Sequence, residues 1–148
     1  MDMQATNLNQ ALLAAMDRYA EQPCFQIKQG RNFQPVPYQQ LQGQVLSVAK
    51  FFSAQGVVDG ERVIIAADNS LEWMVVYLAC LFSGGVAVPL HVTVAPDTIP
   101  LIVKDTEAKL VILQEPAHSH RLTEFCANHS LSLSIFTINQ PTATSSSV

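Results

Sequence analysis

Apolar residues occur along this chain either at helical spacing or in short continuous runs, and the change from one pattern to the other marks successive helices and strands. Steps of three and four residues put apolar side chains on one face of a helix. Capping residues or prolines stand where these repeats begin, and glycine or proline follows several of their ends. The predicted helices lie between Asn7 and Pro23, between Pro37 and Gly56, from Leu71 to Phe82, in a short segment that begins at Pro96 and Asp97, and from Ala117 to His129.

Short apolar runs between these helices predict buried strands. The runs are Arg62–Ala67, Val86–Leu90, Lys109–Gln114 and Leu133–Ile138. Because strands and helices alternate, we expect an α/β fold with one parallel sheet and helices on both faces, which makes three layers. Two further runs flank Gln29-Gly30 and predict a small N-terminal β-hairpin. In such a sheet, ligands bind beyond the carboxyl ends of the strands.

The stretch from Asp68 to Leu90 is the centre of this pattern. Its helix carries one charged residue, Glu72, and Asp68, Asn69 and Ser70 are candidates for its N-cap. Residues 73–95 carry no charge at neutral pH and are long enough to cross a bilayer. The Gly84-Gly85 break and the absence of flanking Lys or Arg disfavour that alternative, so we expect no transmembrane span.

Composition limits the class of protein further. The chain has 148 residues and 49% hydrophobic content, which suits one globular domain, predicted here as residues 1–140. Residues 141–148 include three consecutive serines and are predicted to be a linker or disordered tail. The net charge of −4 without a basic run argues against nucleic acid as a partner. Three widely spaced cysteines and no visible signal peptide predict free thiols in the cytoplasm.

The candidate chemistry is sparse. The six glycines form neither phosphate-binding fingerprint. His118 and His120 are two residues apart, which favours a surface pair over metal ligands. His129 follows Cys126 by three residues, but no third group is available to orient a nucleophilic pair. We therefore predict no catalytic, cofactor-binding or metal-binding residue.

His91 is the one exception, as a speculative substrate-proximal residue. It directly follows the strand Val86–Leu90, at the carboxyl end where ligands bind. A solvated or hydrogen-bonded histidine is the alternative at this position.

Four blocks of sequence, taken together, resemble the N-terminal part of the AMP-forming acyl-CoA synthetases, the adenylating superfamily. They are residues 36–65 (VPYQQLQGQVLSVAKFFSAQGVVDGERVII), residues 67–93 (ADNSLEWMVVYLACLFSGGVAVPLHVT), residues 95–113 (APDTIPLIVKDTEAKLVIL), and the opening helix with AEQPCFQI. Their order and spacing agree over roughly the first 115 residues, with most similarity to long-chain fatty acid–CoA ligases. Glu61 replaces a usual Asp and Gly85 a common Ala, both at structural positions.

The resemblance implies an enzyme that activates a carboxylic acid with Mg-ATP to an acyl adenylate and then transfers the acyl group to a thiol, usually coenzyme A. The family's phosphate-binding loop and catalytic lysine lie downstream of the matched part, so none of these residues is carried over. We expect a fragment, excised, truncated or acting as a separate piece, that binds no cofactor alone and needs the remainder of the enzyme. The alternatives are a free-standing non-catalytic α/β module that binds a protein partner or an acyl group, and a flavodoxin-like nucleotide binder.

Overall fold

A computed structural model describes residues 7–91, 93–114 and 116–138, with the side chains of residues 116–118 left out. Five helices are described: α1 (Leu8–Arg18), α2 (Tyr38–Ala54), α3 (Leu71–Phe82), α4 (Thr98–Thr106) and α5 (Pro116–His129). Six strands accompany them: β1 (Pro23–Gln29), β2 (Asn32–Pro37), β3 (Arg62–Ala66), β4 (Val86–Leu90), β5 (Leu110–Leu113) and β6 (Ser134–Thr137). The tail predicted for residues 141–148 lies outside the described residues.

The last four strands form one parallel sheet in the order β4-β3-β5-β6. β3 is central and pairs with β4 on one side and β5 on the other. The chain therefore goes from β3 to one edge of the sheet and then crosses back over β3 to build the other half. This reversal makes β3 and β5 the topological switch point of the sheet, where open α/β sheets bind ligands.

Two separate apolar cores cover the two faces of the sheet and confirm the predicted three layers. Helices α1, α2 and α3 pack on the face formed by Val63, Ile65 and Ile112. Helices α4 and α5 pack on the opposite face, against Ile64 and Val111. Neighbouring residues of each strand point to opposite faces. Both faces therefore need apolar residues, which is why the strands are continuous apolar runs rather than alternating ones.

The predicted hairpin is also present. β1 and β2 pair antiparallel in a sheet of their own, and Gly30 adopts φ +61° in the turn between them. A positive φ costs glycine little, which explains the residue at this turn. Both strands of the hairpin contact α2, and Val36 of β2 is buried.

Helix α3 has the predicted bounds, but the structure selects among its candidate caps. Only the Ser70 hydroxyl accepts a hydrogen bond from the free N–H of Trp73, at 3.0 Å. Helix α4 begins at Thr98 and not at Pro96 as predicted, because residues 96 and 97 form a turn and leave Pro100 in the first helical turn. No helix among the described residues is long and apolar enough to cross a membrane.

The turn after α3 brings two backbone segments into close contact. Gly84 adopts φ +82°, and its carbonyl accepts a hydrogen bond from the N–H of Gly60 at 2.9 Å. Gly85 has no positive φ, but a Cβ placed there would lie 2.9 Å from Cys80 Sγ and 3.1 Å from Val57 Cγ1. Close packing therefore requires glycine at position 85. The sequence alone, in which Gly85 replaces a common Ala, does not reveal this requirement.

We expect Gly85→Ala to lower the free energy of unfolding by about 1–2 kcal/mol, since the added methyl group overpacks a closed site. In a Cys80→Ala background the penalty shrinks, because the nearest obstructing atom, Sγ, is gone. Urea unfolding of the two single variants and the double variant measures this coupling. Equal penalties in both backgrounds would contradict the contact.

Polar bonds join the elements at the amino ends of the strands. Arg62 Nε donates to the carbonyl oxygen of Thr106 at 2.5 Å, and its guanidinium forms an ion pair with Glu107 at 3.4 Å. The same side chain donates to the carbonyl of Gly60. Lys109 Nζ lies 2.7 Å from Glu61 Oε1. Arg62 thus satisfies carbonyls at the C-terminus of α4, where a helix leaves them without partners.

Candidate functional site

The carboxyl ends of the parallel strands form the edge where the topology predicts a ligand site. β3 leads there into Asp68 through Ala67, and β5 leads into Gln114. These two polar residues face each other across the switch point. The Asp68 N–H donates to Gln114 Oε1 at 2.5 Å, and Gln114 Nε2 donates to Asp68 Oδ2 at 3.2 Å. The chain's own side chains therefore bridge the crevice in which flavodoxin-like proteins hold their ligand.

We expect Gln114→Ala to lower the free energy of unfolding by about 1 kcal/mol, because two hydrogen bonds to Asp68 are lost at a partly exposed site. Gln39→Ala is the matched control, since Gln39 is exposed on α2. Chemical unfolding of both variants gives the comparison. An equal, near-zero effect for the two would mean that the bridge contributes nothing to stability.

His91 lies where its prediction put it, just beyond β4 and exposed at this edge. It lines a cleft of about 220 Å³ together with Asn69, Trp73 and Leu90. The amide and hydroxyl of Thr93 approach His91 Nδ1 at 3.3 Å and 2.8 Å. Because the Thr93 N–H donates to Nδ1, this nitrogen of the neutral ring is the acceptor and the ring proton lies on Nε2. Nε2–H is therefore the group that His91 can offer to a ligand.

Two larger clefts meet the same N-terminal turn of α3. One, of about 680 Å³, lies between this turn and the strand β1 of the hairpin. The other, of about 390 Å³, lies between α2 and α3 and reaches Ile138 after β6. Their linings are mainly apolar. The residues from Asn69 to Trp73 are therefore surrounded by incompletely packed space on several sides, and this turn is the structural centre of the candidate site.

The remaining candidate residues have structural surroundings. His120 Nδ1 lies 3.9 Å from Glu124 Oε1 at an exposed position, whereas the side chain of His118 is outside the described part of the chain. His129 stacks on Phe125, with ring centroids 4.0 Å apart, and its Nδ1 lies 2.9 Å from the carbonyl oxygen of the same residue. Burial raises the pKa of the Cys126 thiol, which is the reverse of what a nucleophilic thiolate needs.

The other two cysteines are also free thiols in the described residues. Burial raises the pKa of Cys80 to about 11 and raises that of Cys24 as well. Cys24 Sγ donates to the carbonyl of Val36 at 3.2 Å. None of the three thiols is therefore activated, and their role in this structure is packing.

Within residues 7–91, 93–114 and 116–138, no three His, Cys, Asp or Glu side chains are arranged to hold a metal ion. The cations near the sheet are used in ion pairs, as Arg62 is with Glu107 and Arg121 is with Asp97. The glycine turn at 84–85 lies at the amino edge, opposite the clefts. The described residues therefore do not fit a Mg-ATP site.

Comparison with known proteins decides the family. The AMP-binding enzyme family matches residues 13–146, which is most of the chain. The chain belongs to the AMP-binding enzyme family. The resemblance to AMP-forming acyl-CoA synthetases is thereby confirmed, as is the fold class.

Individual members of the AMP-binding family match over short parts of their length. The 3-hydroxybenzoate–CoA ligase of Aromatoleum sp. (strain CIB) is 33% identical over 87 residues, covering 58% of this chain and 17% of the ligase. A long-chain fatty acid–CoA ligase of Xenopus laevis is 22% identical over 117 residues, covering 79% of this chain and 16% of the ligase. The chain thus spans about a sixth of the length of these relatives.

A solved structure gives the same picture of the fold. The benzoate CoA ligase of Burkholderia xenovorans LB400 superposes with a TM-score of 0.74 at 17% identity, covering 91% of this chain and 26% of that chain. At this identity the likeness establishes the fold alone. Fold and family are therefore shown by independent comparisons.

Gln114 is the residue of this edge that the sequence did not single out. In the sequence, Gln114 is marked only as a polar residue directly after an apolar strand, and such residues occur at many strand ends. Its importance follows only from the neighbouring position of β3 and β5.

Proposed function

We propose that this chain is part of an AMP-forming ligase that activates a fatty or other carboxylic acid with ATP and transfers the acyl group to a thiol such as that of coenzyme A. The match to the AMP-binding family over residues 13–146 carries this proposal. Relatives named as ligases of 3-hydroxybenzoate and of long-chain fatty acids support it. The free thiols are compatible with the cytoplasm as the location.

In this proposal the segment is a scaffold and a wall of the acyl pocket, and it does not adenylate alone. Stabilising the charge of an adenylyl transfer requires cations and N–H donors aimed at the phosphates. The two larger clefts at the N-terminal turn of α3 are mainly apolar instead. His91 lines the smaller cleft as a candidate hydrogen-bond donor to a substrate. The adenine, phosphate and Mg contacts are assigned to the remainder of the enzyme.

A chimera tests this function. In it, this chain replaces the matching segment of the Aromatoleum 3-hydroxybenzoate–CoA ligase, and the readout is AMP formed with 3-hydroxybenzoate, ATP and coenzyme A. We expect an active chimera, whereas the chain by itself forms no AMP above background. Activity of the chain alone would overturn the scaffold role. An inactive chimera, beside an active parent ligase, would overturn membership in a working ligase and favour a free-standing module.

A further inference from the structure

The turn directly after β4 holds the ring of His91 at one of its two nitrogens. The hydroxyl of Thr93 lies 2.8 Å from His91 Nδ1, and the Thr93 N–H donates to the same nitrogen at 3.3 Å. The N–H of Val94 donates to the His91 carbonyl at 2.9 Å, so the backbone of the turn is closed as well. Asn and Asp stabilise turns in the same way, by accepting the N–H two residues further on with their side chains. In this turn an imidazole takes the place of the Asn or Asp side chain.

Thr93 restrains both the orientation of the His91 ring and the position of its proton. Because a backbone N–H can only donate, Nδ1 has to keep its lone pair, and the Thr93 hydroxyl is then its second donor. With Nδ1 turned to Thr93, Nε2 is the ring nitrogen that remains for the cleft, which Asn69 and Trp73 also line. Among the described residues, Nε2 has no hydrogen-bond partner.

Such a restraint matters because His91 is exposed. The ring of an exposed histidine rotates and exchanges between its two neutral forms when nothing holds it. A group that is fixed before a ligand arrives loses less conformational entropy on binding. Two donors on Nδ1 therefore prepare Nε2–H as a hydrogen-bond donor before the cleft is occupied.

We propose that Thr93 is a positioning residue, whose N–H and hydroxyl hold His91 in the form that donates Nε2–H to an oxygen of the substrate. The role of Thr93 rests on the function proposed above, in which His91 is a candidate donor to the substrate. Thr93 acts through the imidazole ring and needs no contact of its own with the substrate.

Proton uptake by the His91 ring removes this arrangement. A proton on Nδ1 makes that nitrogen a donor, which excludes the hydrogen bond from the Thr93 N–H. Of the described residues that line the cleft, only Asp68 is charged, and its carboxylate accepts a hydrogen bond from Gln114. We therefore expect the amide resonance of Thr93 to titrate together with the ring resonances of His91, both in the wild-type chain and in Asp68→Asn.

Nuclear magnetic resonance of the free chain, labelled with ¹⁵N-histidine, measures the restraint directly. A ring nitrogen that accepts a hydrogen bond and one that carries a proton differ strongly in ¹⁵N chemical shift. With the ring neutral, we expect His91 to show Nδ1 as acceptor and Nε2 as the protonated nitrogen, with shifts distinct from those in the urea-unfolded chain. Thr93→Val removes one of the two donors and moves the shifts part of the way to the unfolded values, whereas Thr93→Ser keeps them.

A double-mutant cycle in the chimera described above tests whether Thr93 acts through His91. We expect Thr93→Val to lower kcat/KM for 3-hydroxybenzoate about threefold to tenfold, and Thr93→Ser to restore it. In a chimera that carries His91→Ala, Thr93→Val has no further effect, because the ring is gone. Thr123→Val is the matched control, since this exposed threonine of α5 donates its hydroxyl to the Ser119 carbonyl, outside the cleft.

The outcomes separate the role of Thr93 from the function. An active chimera in which Thr93→Val lowers kcat/KM equally with and without His91, or no more than Thr123→Val does, would overturn the positioning role and leave the proposed function standing. Ring shifts equal to those of the unfolded chain, or a Thr93 amide that does not titrate with the ring, would have the same consequence. An inactive chimera without further substitutions, beside an active parent ligase, would overturn both.

Discussion

Gly84→Ala is expected to lower the free energy of unfolding by about 2–4 kcal/mol, the largest effect of any glycine substitution in this chain. Gly84 adopts φ +82°, a conformation that side chains with a Cβ rarely adopt. An added Cβ would also overlap Asp59 Oδ1 and lie 3.3 Å from the Asp59 backbone Cα. The side chain of Asp59 can rotate away, but its backbone is held by the neighbouring hydrogen bond between Gly60 and Gly84.

The control for this substitution is Gly43→Ala. Gly43 lies in an exposed part of α2, and no atom is within 4 Å of the position of its Cβ. Alanine favours the helix there, so we expect the free energy of unfolding to rise by about 0.5–1 kcal/mol. Urea or thermal unfolding of the two variants measures both effects. A Gly84→Ala variant as stable as Gly43→Ala would show that the turn tolerates another conformation.

The alkaline stability of the chain is expected to depend on Cys80. This thiol is fully buried, and burial raises its pKa from 9.0 to about 11. Above pH 9 the unfolded chain releases the proton while the folded chain retains it. The contribution to stability is therefore complete below pH 9 and is lost as the pH rises toward 11, by about 2–3 kcal/mol in total.

The comparison between variants isolates the thiol, because every other group is common to the wild-type chain and the Cys80→Ala variant. Cys80→Ala removes the thiol, and we expect its unfolding free energy to fall less steeply with pH than that of the wild-type chain. Cys24→Ala is the control, because Cys24 is only partly buried. Urea unfolding at intervals from pH 8 to 11 gives the slopes. Parallel slopes for wild type and Cys80→Ala would refute the burial of a neutral thiol.

The elements of this fold were predictable because their signals are local. Helix α3 follows from an apolar run broken only by Glu72, with a cap before it and glycines after it, and the strands follow from short β-branched runs between turns. The N-cap of α3 is an example of what local sequence patterns leave undetermined. Asp68, Asn69 and Ser70 are all good capping residues, and only the one directly before Leu71 can reach the N–H of Trp73.

Strand order and the candidate site depend on contacts that are distant in sequence. Asp68 and Gln114 are 46 residues apart and meet only because β3 and β5 are neighbours, a pairing that no local pattern specifies. The packing need for Gly85 likewise arises in part from Val57, which lies in the loop between α2 and β3. The prediction of His91 used only the general rule for strand ends, which places a residue at the carboxyl edge of the sheet and does not choose its partners.

The bonds of Arg62 at the amino edge have a consequence for how the sheet opens. The side chain of Arg62 joins β3 to the last turn of α4, and the carbonyl of Arg62 accepts a hydrogen bond from the N–H of Lys109, just before β5. We therefore expect β3, α4 and β5 to open together at this edge. Native-state amide exchange reports such linkages, because the amides of linked elements exchange only when the protein unfolds globally. We expect the amides of residues 63–65 to exchange most slowly and those of the α3 N-terminal turn, beside the clefts, to exchange through smaller openings. The N-terminal turn of α3 can thus adjust around the clefts while the strands beneath it remain closed.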